Sequence, residues 1–95
     1  METITKEFDA FLQELVESYC NAPLSMSRMP STLIYIGTTS KDFNEKSGNK
    51  IQELIAKNPV VNSTEIKLEL SPIQVKYHSI LLSCHFQENI NYLNN

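Results

Sequence analysis

A chain of 95 residues, 41% apolar and 20% charged, has room for one hydrophobic core, which excludes a two-domain, disordered or collagen-like protein. The net charge is −3, and the acidity sits in the first thirty residues, where Glu2, Glu7, Asp9, Glu14 and Glu17 face only Lys6 and Arg28. The remaining cations do not form a basic stripe: Lys41, Lys46, Lys50 and Lys57 are interleaved with Asp42, Glu45 and Glu53, a pattern that argues against direct nucleic-acid binding.

The first helix is expected from about Thr5 to Cys20. Phe8, Phe11, Leu12, Leu15, Val16 and Tyr19 recur at helical spacing on one stripe, the acids occupy the other face, and Asn21 with Pro23 supplies a stop. Residues 22 to 31 read as a connector between two prolines, with Met26 and Met29 filling gaps against the domain. A strand follows at Thr32 to Ile36, a β-branched and aromatic run that ends at Gly37.

Gly37-Thr38-Thr39-Ser40-Lys41 would then be a strand-to-helix turn. In α/β proteins such a turn gathers free backbone N–H groups and a helix dipole, so Thr38, Thr39, Ser40 and Lys41 form a candidate anion site. Neither glycine-rich phosphate-binding pattern is present, and the plainer reading is a turn in which Thr39 or Ser40 caps the next segment. Lys50 to Asn58 forms a short helix, with Ile51, Leu54 and Ile55 on one side and Pro59 closing it. Thr64 to Leu70 alternates, with Ile66, Leu68 and Leu70 against Glu65, Lys67 and Glu69, as a strand with one wet face does.

The last helix is expected from Ser71 to Leu93. Ser71 serves as its cap, Pro72 occupies the first helical position and Gln74 completes a capping box. Apolar residues fall on two faces of it: Ile73, Tyr77, Ile80, Leu81 and Cys84 on one, and Val75, Leu82, Phe86 and Leu93 on the other.

The expected architecture is a single domain, residues 1 to 95, of α/β or α+β class. Its order is α-β-α-β-α, with a small parallel sheet covered by helices. Two strands make a poor sheet, so a partner completes the layer or one helical element is part strand; Ile73 to Tyr77, which also alternates, is the alternative as an extra antiparallel strand.

No stretch is apolar enough for a signal-peptide core or a membrane span, which points to the cytoplasm and away from a membrane partner. Cys20 and Cys84 are accordingly read as buried free thiols, and Asn62-Ser63-Thr64 as a polar turn, not a glycosylated one. His78 and His85 lie two turns apart without the close pairing of a zinc site, and Cys84 sits on an apolar stripe where a thiol is inert, so no metal, cofactor or catalytic set is assigned.

The functional expectation is a small non-catalytic interaction module, acting as a subunit, adaptor or inhibitor. It docks through Val75, Leu82, Phe86 and Leu93 on another protein or on its own copy. The alternative is a small anion- or nucleotide-binding module using the Gly37 to Lys41 turn.

Overall fold

A computed structural model describes the backbone of residues 1–20 and 29–94 and the side chains of residues 1–20 and 39–84. It contains three helices: α1 (Glu2–Cys20), α2 (Met29–Lys57) and α3 (Ser63–Asn94). Among the described residues there is no strand, so the α/β expectation is corrected to an all-α bundle.

The first helix matches its sequence pattern. Ile4, Phe8, Leu12 and Val16 recur every four residues and are buried, while Phe11, Leu15 and Tyr19 pack beside them, half-buried. Thr5 turns its hydroxyl back onto the Glu2 carbonyl at 2.9 Å, and Lys6 pairs with Glu2 at 3.2 Å in the first turn.

The second helix takes in what had looked like a strand, a turn and a short helix. Thr32 to Ile36 and Gly37 to Lys41 all have helical backbone, and Pro30 stands in the first turn, where a missing N–H costs no hydrogen bond. The connector expected at 22–31 is therefore already helix from Met29 onward. Its earlier part, with Met26, lies outside the described residues. Phe43, Ile51 and Leu54 give α2 its buried face.

The break between α2 and α3 falls at Pro59, whose ring disfavours helical backbone at Asn58 before it. Asn58 closes α2 with its side-chain amide on the Leu54 carbonyl at 2.8 Å. Asn62 opens α3 as an N-cap: its Oδ1 accepts from the backbone N–H groups of Thr64 at 2.8 Å and Glu65 at 3.3 Å.

The cap expected at Ser71 is accordingly displaced by more than two turns. The Ser71 hydroxyl donates backward to the Lys67 carbonyl at 2.7 Å, and Pro72 lies inside the helix instead of at its start. Pro72 removes one rung of the helical ladder, and because it stands on the exposed side, water can reach the carbonyl left over. Neither the strand at Thr64 to Leu70 nor the alternative strand at Ile73 to Tyr77 forms.

Side-chain bonds set the direction of each helix. Glu7 meets Lys50 at 3.5 Å and Tyr19 donates to Asp42, so α1 and α2 run antiparallel. Gln74 bonds Ser47 and His78 bonds Ser40, each at 2.5 Å, so α2 and α3 are antiparallel as well. Tyr77 donates to Asp9 at 3.0 Å and Cys84 is bonded to Cys20, which makes α1 and α3 parallel. The result is an up-down-up bundle around one core of Ile4, Phe8, Leu12, Val16, Phe43, Ile51, Leu54, Ile66, Leu70, Tyr77 and Leu81.

The Cys20–Cys84 pair corrects the reading of two free thiols. The two Cα atoms stand 6.0 Å apart, within the usual span of a disulfide, at the point where α1 ends.

Two substitutions test this packing by chemical denaturation. Leu70→Ala removes a fully buried side chain and is expected to cost about 2–5 kcal/mol. Gly48 lies mid-helix with nothing within 4 Å of an added Cβ, so Gly48→Ala is expected to stabilise the chain by about 0.5–1 kcal/mol.

Candidate functional site

The third helix is long, apolar and only partly covered. At 32 residues it extends about 48 Å along its axis, close to the 53 Å longest dimension of the whole molecule. Its inner row, Ile66, Leu70, Tyr77 and Leu81, is buried in the core, with Ile73 half-buried beside it.

The opposite side is not covered. Leu68 is 71% exposed, Val75 65% and Ile80 45%, while Leu82 is half-buried. At about 100° per residue, Leu68, Pro72, Val75, Ser79 and Leu82 fall within about 40° of one line along the helix. Phe86 and Leu93 occupy the same register further on, although their side chains lie outside the described residues. No charged residue interrupts this line, and Leu68, Val75 and Leu82 are spaced by sevens, the repeat that keeps a seam facing a partner helix.

Of the four interface residues read from sequence, the structure thus places Val75 in the open and Leu82 at the margin. Leu68 and Pro72 were missed. The alternation of Ile66, Leu68 and Leu70 puts all three on one face of a strand, but on a helix Ile66 and Leu70 are neighbours and Leu68 points about 200° away from each. Ile80 was assigned to the inner stripe and stands instead on its solvent edge.

Cys20 is the last described residue of α1 and is bonded to Cys84, from which α3 runs on to Asn94. Phe86 and Leu93 belong to that stretch of backbone.

Between α2 and α3 lies a polar seam. His78 stacks on Phe43, with ring centroids 5.5 Å apart, and its Nε2 meets the Ser40 hydroxyl. One turn earlier on α3, Gln74 donates to Ser47, which in turn donates to the Asn44 carbonyl at 3.2 Å. Ser47 is fully buried and Thr39 nearly so. These bonds satisfy polar groups inside the bundle and favour one alignment of the two helices.

The seam also disposes of the expected anion turn. Thr38, Thr39, Ser40 and Lys41 lie mid-helix, where backbone N–H groups are committed to the helical ladder and cannot converge on a phosphate. Thr39 is buried, Ser40 is turned to His78 and Lys41 is exposed; the Thr38 side chain lies outside the described residues.

Charged side chains on α1 and α2 are engaged with one another. Lys50 pairs with Glu53 at 2.9 Å and Glu7 at 3.5 Å, and stands 5.2 Å from the centre of the Phe11 ring. Its hydrogen bond to Glu53 raises the Lys50 pKa and lowers that of Glu53. The shallow cavity of about 360 Å³ bounded by Phe11, Lys46, Asn49, Lys50 and Glu53 is therefore lined by ions that already have partners.

Among the described residues no three His, Cys, Asp or Glu side chains gather into a metal-binding group, and no helix is long and apolar enough to cross a membrane. The bond between Cys20 and Cys84 leaves neither sulfur as a thiol nucleophile or ligand. The chain matches no family model, no curated protein and no solved structure.

Alkaline pH provides a test of the inter-helix bonds. Burial raises the Tyr77 pKa above its ordinary 10.0, and the hydrogen bond to Asp9 raises it further. Tyr19 is shifted the same way, first by burial and then by Asp42. A folded-state pKa above the unfolded value gives stability that is complete below pH 10 and is lost as pH climbs through the raised value. Denaturation midpoints are expected to fall above pH 10, and Tyr77→Phe, which has no hydroxyl to ionise, is expected to flatten that fall.

Proposed function

We propose that this protein is a small non-catalytic interaction module, a subunit, adaptor or inhibitor that docks through the outer line of α3. The mechanism is helix-on-helix burial. Leu68, Val75 and Leu82 enter the seam of a partner helix, and Phe86 and Leu93 continue it beyond Cys84. The observation that supports this most directly is the exposure of Leu68 and Val75 on an uncharged line, since apolar side chains aligned in this way mark interaction sites.

The partner is taken to be a second copy of the chain or another protein, with no direct role for nucleic acid or membrane. Cations that are internally paired offer little to phosphates: Lys46 is held by Asp42, Lys50 by Glu7 and Glu53, Lys57 by Glu53, and Lys76 by Asp9. The reading places the protein in the cytoplasm; among the described residues no helix is long and apolar enough to span a bilayer.

Self-association is tested by light scattering across a concentration series, with Val75→Asp and Leu68→Asp alongside. The wild-type chain is expected to form a dimer or larger species, and each variant to fall to a monomer with unchanged helical signal, because both positions are open in the single chain. A wild-type protein that stays monomeric throughout removes self-association. Variants that unfold instead would show the line to be core.

A further inference from the structure

We propose that the Cys20–Cys84 bond is a redox-responsive clamp that holds the last turn of α1 against α3 and releases it when reduced by a dithiol. Three observations carry this. The bond joins the terminal residue of α1 to a site 64 residues away, so it acts at the end of the helix and not in its middle. Both cysteines are half-buried and not sealed in the core, the condition that an attacking thiolate needs. Below the clamp the bundle has its own fastenings: Phe8, Leu12, Leu70, Tyr77 and Leu81 in the core, and the Asp9–Tyr77 hydrogen bond across α1 and α3.

Among the described residues, the side-chain hydrogen bonds of this last turn run within α1 or to α2, and the disulfide is its bond to α3. Tyr19 is bonded to Asp42 and lies under Lys46, both on α2, at 5.7 Å from the lysine nitrogen to the ring centre. Opening the bond thus frees the end of α1 from α3 while the core persists.

The step is ordinary exchange. One thiolate of a dithiol attacks a sulfur of the Cys20–Cys84 bond, forming a mixed disulfide and releasing the other cysteine as a thiolate that takes up a proton. The second sulfur of the reductant then displaces the remaining cysteine. Two electrons pass from the dithiol, which leaves as a disulfide, to Cys20 and Cys84, which become thiols. An oxidised dithiol or glutathione disulfide runs the sequence in reverse. In a compartment kept reduced, a pair of this kind is expected to respond to redox state and not to stay closed permanently.

The test uses the whole chain, oxidised with glutathione disulfide or reduced with dithiothreitol. Thiols are counted by native maleimide labelling and mass, and helicity is followed by circular dichroism. The oxidised form is expected to take no label. The reduced form is expected to take two, at a rate insensitive to urea below the unfolding transition, with its helical signal kept. Releasing a closed loop of 64 residues is expected to lower the thermal midpoint by about 15–20 °C. Cys20→Ser should reproduce that lower midpoint without reductant.

Two labels after oxidation would show that the bond does not form. Loss of helical signal on reduction would make the bond a staple for the whole fold instead of a local clamp. Thiols that label only through the unfolding transition would mean that the end of α1 stays in place. None of these readings depends on oligomeric state, so this proposal and the docking proposal stand or fall separately.

Discussion

Burial of the inner row of α3 is the interaction on which the other features rest. Ile66, Leu70, Tyr77 and Leu81 belong to one buried cluster with Ile4, Phe8, Leu12 and Val16 of α1 and Phe43, Ile51 and Leu54 of α2. No pair of these helices could enclose that cluster, since each presents a stripe that needs two neighbours to exclude water. The helices are also poor in local support. α2 carries two glycines and α3 an internal proline, residues that weaken isolated helices by about 1 and 3 kcal/mol respectively. Tertiary burial is what keeps α2 and α3 continuous over 29 and 32 residues.

With a core this apolar, alignment has to come from elsewhere. Greasy helices slide past one another by a turn at modest cost, whereas a buried hydroxyl or amide is satisfied in only one register. Ser40 with His78 and Ser47 with Gln74 set α2 against α3, while Asp9 with Tyr77 sets α1 against α3. Tyr19 with Asp42 and Glu7 with Lys50 do the same for α1 and α2. The disulfide lies at the last described residue of α1, beyond the core residues that α1 and α3 share.

The outer line of α3 follows from this geometry. A helix in a three-helix bundle turns roughly half its circumference to its neighbours, and the remainder meets water. On α1 that remainder is mostly polar, and Glu7 and Asp9 pair with Lys50 and Lys76 of the neighbouring helices. On α3 it holds Leu68, Pro72, Val75 and Ser79, with charges displaced to either side. A solvent-facing line that gains nothing for the isolated chain is the feature on which the docking proposal is built.

The sequence by itself determined α1, the break at Pro59 and the two-faced character of the last helix. Phe8, Phe11, Leu12 and Leu15 share one face of a helix but would be split between the two faces of a strand, Pro59 disfavours helical backbone at the residue before it, and Val75 cannot share a face with Tyr77 on a helix. Only the tertiary structure decided the rest. Thr32 to Ile36 and Thr64 to Leu70 are short runs whose apolar residues suit a strand or a buried helix equally, and local pattern cannot choose between them. Packing chose. Once α1 and α2 offered a groove the length of a long helix, Ile66 and Leu70 turned into it and Leu68 turned out, and the supposed anion turn became helix with Ser40 committed to His78. Cys20 and Cys84 met for the same reason: parallel packing of α1 on α3 brings together two residues that nothing in their local sequence connects.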